Sequence, residues 1–161
     1  MREEIADGVA RFMDAGFALA GYPEVPITSA VTEDAIDEGV PLVGVLIEDQ
    51  PHLVGPLGYA VANVMTITPK VKGNVDLHKR NGAITEALLL PPTPPELAPN
   101  AAWLAYYIRE ATDDRFSGRG FELLGIESTV EDATWRAVVR IRIGLMRDDP
   151  DPLTLPAAIV V

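Results

Sequence analysis

The stretch "TWRAVVRIRIGLM", residues 134–146, constrains this chain most, because it alternates. Trp135, Ala137, Val139, Ile141, Ile143 and Leu145 fall on one parity, and Arg136, Val138, Arg140, Arg142, Gly144 and Met146 on the other. Successive side chains of a strand point to opposite faces, so only one parity can enter a core against helices. The segment therefore predicts a sheet whose apolar parity is covered and whose other face carries three arginines. Those arginines stand out in a chain with a net charge of −11.

The remaining segments supply the cover. Residues 2–20 read as an amphipathic helix: Ile5, Val9, Phe12 and Phe17 share a broad apolar face, and Glu3, Glu4 and Asp7 suit its N-terminal dipole. Gly21 and Pro23 stop it. "VPITSAV" is a short extended piece, followed by the acidic loop "TEDAIDEG". "VPLVGVLIED", residues 40–49, is nearly all apolar, as a buried central strand is. "QPHLVGPLG" reads as a turn-rich link, and "YAVANVMTITPKVK", residues 59–72, as a second long strand with apolar residues on both parities.

Asn81-Gly82 is a hairpin signal, but its flanks do not alternate. Leu77, Ile84 and Leu88 have helical spacing and Asn74 suits a cap, so a helix over 75–90 is expected. "PPTPPELAPN" is a connector. "AAWLAYYIREA" fits a helix through Trp103 and Tyr107, or a strand through Leu104, Tyr106 and Ile108; helix is preferred. "TDDRFSGRG" reads as a polar loop, and "FELLGIEST" with "ATWRAVVRIRIGLM" as a closing hairpin around "VED". The order predicts one α+β domain over 1–147, with a mainly antiparallel sheet, an N-terminal helix and one or two further helices packed on it. Residues 148–161, "DDPDPLTLPAAIVV", read as a Pro-rich arm with apolar last residues.

No apolar run approaches a membrane span, and the acids of "MREEIADGVARF" do not suit a signal peptide, so a soluble protein is expected. There is no cysteine, which removes thiolate nucleophiles and cysteine metal sites. Between residues 12 and 69 there are eight acids and no Lys or Arg, while residues 70–147 carry eleven bases and ten acids. A pI near 4.5 disfavours general nucleic-acid binding, which needs clustered cations. The uneven charge suits self-association, with acids of one copy on the basic strand of another.

Catalytic signals are weak. His52 sits in a Pro/Gly link without a ligand-spaced partner, and His78 in "DLHKR" is expected on an exposed helix face. "GRGFELLG" matches neither phosphate-loop pattern and reads as a flexible loop. "TEDAIDEG" lacks the spaced frame of a calcium loop. No cofactor and no metal are expected.

The arginines have a bland explanation, a half-buried edge strand whose Arg stems cover apolar surface. If residues 130–133 form the turn, Glu127 lies opposite Arg136, an exposed pair worth about 0.2–1 kcal/mol. Arg140 and Arg142 then have no local acid and are left for a partner. The candidate residues, facing a neighbouring subunit or lining a channel that DNA crosses, are accordingly Arg136, Arg140 and Arg142, with Glu33, Asp34, Asp37, Glu38, Glu48 and Asp49 as the acidic partner surface of a neighbouring copy.

In this order the elements resemble the tail terminator (tail-to-head joining) proteins of long-tailed bacteriophages. The likeness rests on the N-terminal helix, "VPLVGVLIED", "YAVANVMTITPKVK", the helix around "HKRNGAITEALLL", and above all the closing "FELLGIESTVEDATWRAVVRIRIGLM". It is a pattern over most of residues 1–147 and not a signature motif. The 91–99 connector and the 148–161 arm depart from it and leave room for a related neck or head–tail connector protein. The resemblance implies a non-enzymatic α+β virion subunit, assembled in the host cytoplasm. It implies a ring, hexameric in that family, that caps the tail tube and contacts the tube protein and the head or neck connector. DNA would pass through the ring's channel. A small hydrolase using the acids near Glu33 to Glu38, or an acidic binding module, is the alternative of another class.

Overall fold

The computed structural model describes residues 2–29, 40–70, 73–90, 99–131 and 133–147. The acids Glu33, Asp34, Asp37 and Glu38, most of the Pro-rich connector and the 148–161 arm lie outside the described residues.

The chain begins with helix α1, Arg2–Leu19, with Glu3 and Glu4 in its first turn. Ile5, Val9, Phe12 and Phe17 are buried along one side, as their spacing predicts. The helix stops where Gly21 takes φ +95°: the Tyr22 amide donates to the Phe17 carbonyl and the Gly21 amide to Ala18, which satisfies carbonyls that the helix leaves open. Strand β1, Ile27–Thr28, runs parallel to β2, Leu42–Ile47. Strand β3, His52–Val54, turns at once into β4, Leu57–Pro69. The expected link "QPHLVGPLG" is thus a tight hairpin, with Gly55 at φ +60° in its turn.

Helix α2, Val75–Leu89, confirms the helical choice around Asn81-Gly82. Asn74 stands at its N-cap position, but its side chain donates to the Pro69 carbonyl at 3.2 Å and makes no cap bond. Helix α3, Pro99–Ala111, takes in Pro99 and Asn100 from the expected connector. Proline is tolerated there because the first amides of a helix have no partner within it. Strands β5, Phe116–Glu131, and β6, Thr134–Arg147, form the closing hairpin.

Two loop expectations fail at β5, which begins inside "TDDRFSGRG" and runs through "GRGFELLG". Buried Thr112 organises that start: its hydroxyl donates to the Ile108 carbonyl at 2.8 Å and accepts from the Phe116 amide at 3.1 Å. The glycines there serve close packing and bends. A Cβ on Gly118 would come 3.0 Å from Ala105 Cα, and Gly120 takes φ +139° at a register shift.

The sheet order is β1-β2-β4-β6-β5, antiparallel except for β1, with β3 on the end of β4. Strand β6 is interior, so the edge-strand explanation of its arginines does not hold; β5 is the edge. All three helices pack on one face. Val43, Val45, Ala60, Ala62, Val64, Val139, Ile141, Ile143 and Leu145 meet α1 and α3 in one core. Thr66 and Thr68 of β4 continue that parity under α2, facing Thr85 at 3.5 Å and His78 at 2.8 Å. No helix of the described residues is long and apolar enough to cross a membrane.

Candidate interaction face of the sheet

Most of the face opposite the helices stays open. Its parity holds Leu46 on β2, Tyr59, Val61, Asn63 and Met65 on β4, Val138, Arg140 and Arg142 on β6, and Glu122 and Glu127 on β5. None of these ten is buried, whereas their neighbours Ala62, Val64, Ile141 and Ile143 are fully enclosed. Apolar residues on both parities of β4 therefore do not mean two covered faces. One end is an exception: Leu42 and Ile67, directly paired, are buried outside the main core, and Arg136 lies half-buried beside Ile67.

The register brings acids to the arginines from within the chain. Asn63 sits opposite Arg140, and Glu48 follows β2 with its amide on the Val61 carbonyl. The Arg140 guanidinium donates to both Glu48 oxygens, at 2.5 and 2.9 Å, and Asn63 Nδ2 donates to Oε1 at 2.9 Å. These donors, Arg140 first and Asn63 second, hold the Glu48 carboxyl down to about 2 despite partial burial. Glu122 is paired with Arg142 across the hairpin and forms a salt bridge with it. The Arg142 guanidinium also lies 5.4 Å from the Tyr59 ring, which stacks on His52 at 4.8 Å.

Both arginines thus have an acid within the chain: Arg142 finds Glu122 in the hairpin, where none was expected, while Arg140, opposite Gly125, finds none in the hairpin and takes Glu48 from beyond β2. The hairpin turn is tighter than supposed: Glu131 pairs with Thr134, so Thr129 faces Arg136 and Glu127 faces Val138. A register shift between Leu123 and Gly125 then moves Glu122 opposite Arg142. Glu48, expected on an acidic surface for a neighbouring copy, is bonded to Arg140 of its own chain. Asp49 is exposed next to it, in a shallow hollow with His52 and Tyr59. The roles of Asn63, Tyr59 and Glu122 were not read from the sequence. The one available signal was the glycine spacing of "SGRGFELLG", which marks bulges.

The histidines separate. His52 is exposed on β3. His78 does not sit on an exposed helix face: its ring is half-buried, bonded to Thr68 and 5.6 Å from the Trp135 ring. Desolvation pushes its pKa below the usual imidazole value. Among the described residues no three His, Asp or Glu side chains converge to hold a metal. What the open face presents is a protein-like surface: apolar side chains between ion pairs, with Arg140 and Arg142 among four carboxylates, Glu48, Asp49, Glu122 and Glu127. Comparison of the chain with protein-family models and with curated proteins finds no match.

Proposed function

We propose that this chain is a structural virion subunit of the tail terminator kind, assembling into a ring that caps a phage tail tube and joins it to the head or neck. The observation that carries the proposal is the one-sided sheet. Three helices cover one face, while the other offers Leu46, Val61, Met65 and Val138 among paired charges. Such a face suits contact with another protein, whose core is apolar and whose rim is polar. The element order that prompted the resemblance supports the same reading. A related neck or connector protein of the same particle is the neighbouring alternative.

The charge balance favours a subunit joint over a DNA-lined channel for this face. Arg140 and Arg142 are already neutralised by Glu48 and Glu122, and little net positive potential remains for phosphates. The test is to add purified protein to growing tail tubes and image them. Rings seated on tube ends, with elongation halted, are expected. Tubes that lengthen unchanged, with no density at their ends, would refute the proposal.

A further inference from the structure

Strand β5 pairs only with β6 among the described residues, so its other edge presents unpaired amides and carbonyls. Its first half is interrupted by two register shifts and carries Arg119 and Glu122, features that discourage strand addition. From Gly125 onward the pairing is regular, and no Lys or Pro guards residues 125–130. Leu124, Ile126 and Val130 are 41%, 43% and 59% exposed there. Ile126 and Val130 pair with Val139 and Trp135, so they continue the core parity beyond the cover of the helices.

The chain also supplies a strand-prone segment without a described place. Residues 153–161, "LTLPAAIVV", carry no charge, and "DDPDP" ties them to β6. Arg119 is exposed and pairs with no carboxylate among the described residues. Setting Ala157 beside Ile126 in parallel brings Pro150 level with Arg119, flanked by Asp149 and Asp151. Apolar segment and acids thus meet apolar edge and arginine in one register.

We propose that residues 153–161 of one copy add as a strand to the free β5 edge of a second copy, with the 148–151 acids against its Arg119. Reach favours a second copy, and addition to the chain's own edge, which leaves a single-chain mass, is the outcome that would overturn it. Arg147 pairs with Phe116, and Val139, eight residues back along β6, pairs with Ile126, so Ile126 of the same chain lies about 26 Å away along the strand. The ten residues from Arg147 to Ala157 span at most about 33–36 Å fully extended, and the reversal after β6 must also cross two strand spacings, about 10 Å, to the outer edge of β5, so a path within one chain has almost no slack. Each copy then gives one segment and offers one edge, a head-to-tail contact that closes into a ring or continues as a chain. The inference needs only a second copy and does not rest on the virion reading.

The test uses full-length variants and native mass. Ile126→Lys with Val130→Lys spoils the edge, and Ile159→Lys with Val160→Lys spoils the segment. Each variant alone is expected to have single-chain mass with unchanged far-UV circular dichroism. Mixed one to one, they are expected to form a two-chain species, because one intact segment and one intact edge remain. Variants that keep the wild-type mass, or a mixture that stays single-chain, would overturn the proposal. Should the edge variant fail to fold, Arg119→Glu alone is expected to weaken association, and Asp149→Arg with Asp151→Arg to restore it. A swap that restores nothing also overturns it.

Discussion

Side chains on the open face hold one another, and the Glu48–Arg140 pair is where this can be measured. Both side chains keep contact with water, so the pair adds little to stability by itself. Its signature is the depressed Glu48 pKa. A carboxylate held at about 2 in the folded chain and near 4.5 when unfolded contributes stability above pH 4.5. That contribution is lost as pH falls from about 4.5 to 2, since the unfolded chain takes up the proton first. In Arg140→Met, carboxyl NMR titration should find Glu48 raised well towards the ordinary range, with Asn63 keeping it somewhat below. A native Glu48 that titrates near 4.5 would contradict the geometry. The parity of 134–146 was legible because alternation reports which side chains share a face. The partners were not, because Glu48 is 92 residues from Arg140 and only the sheet brings them together.

Among the elements, α1 and α3 meet closely at Gly8, where an added Cβ would lie 2.9 Å from Ile108 Cα. Alanine normally favours a helix over glycine by about 1 kcal/mol, but here the obstacle is backbone and cannot rotate away. Gly8→Ala should therefore lower stability by about 1–3 kcal/mol, seen as a reduced urea midpoint. An unchanged or raised midpoint would show that the helices can separate without loss. In the closing hairpin, Ala133 takes φ +58°, and its carbonyl accepts from the Lys70 amide at 2.9 Å. Ala133→Val should cost about 1 kcal/mol or more, while Ala133→Gly should cost nothing measurable. Equal melting curves for the two would contradict the left-handed turn. Helices and long strands could be read from periodicity over many residues. The β3–β4 hairpin and the start of β5 could not, because short glycine-rich strands form through pairing with longer neighbours, which local composition does not show.

At the scale of the molecule, helices lie on one face and exposed apolar and charged groups on the other, with β5 as a long edge. That arrangement leaves the single chain with surfaces suited to further copies. In the proposed association the acids of residues 148–151 against Arg119 would add an electrostatic part, since Arg140 and Arg142 are already paired within the chain. Raising salt from about 0.05 to 0.5 M should slow assembly or shift it towards smaller species, because screening shortens the reach of these charges. Sedimentation unaffected by salt would leave apolar contact alone as the driving force. Native mass at micromolar concentration tests most directly whether the chain is a ring subunit, as proposed. One closed species of fixed stoichiometry, six copies by the tail terminator resemblance, is the predicted result; a single-chain mass across the whole concentration range would contradict it.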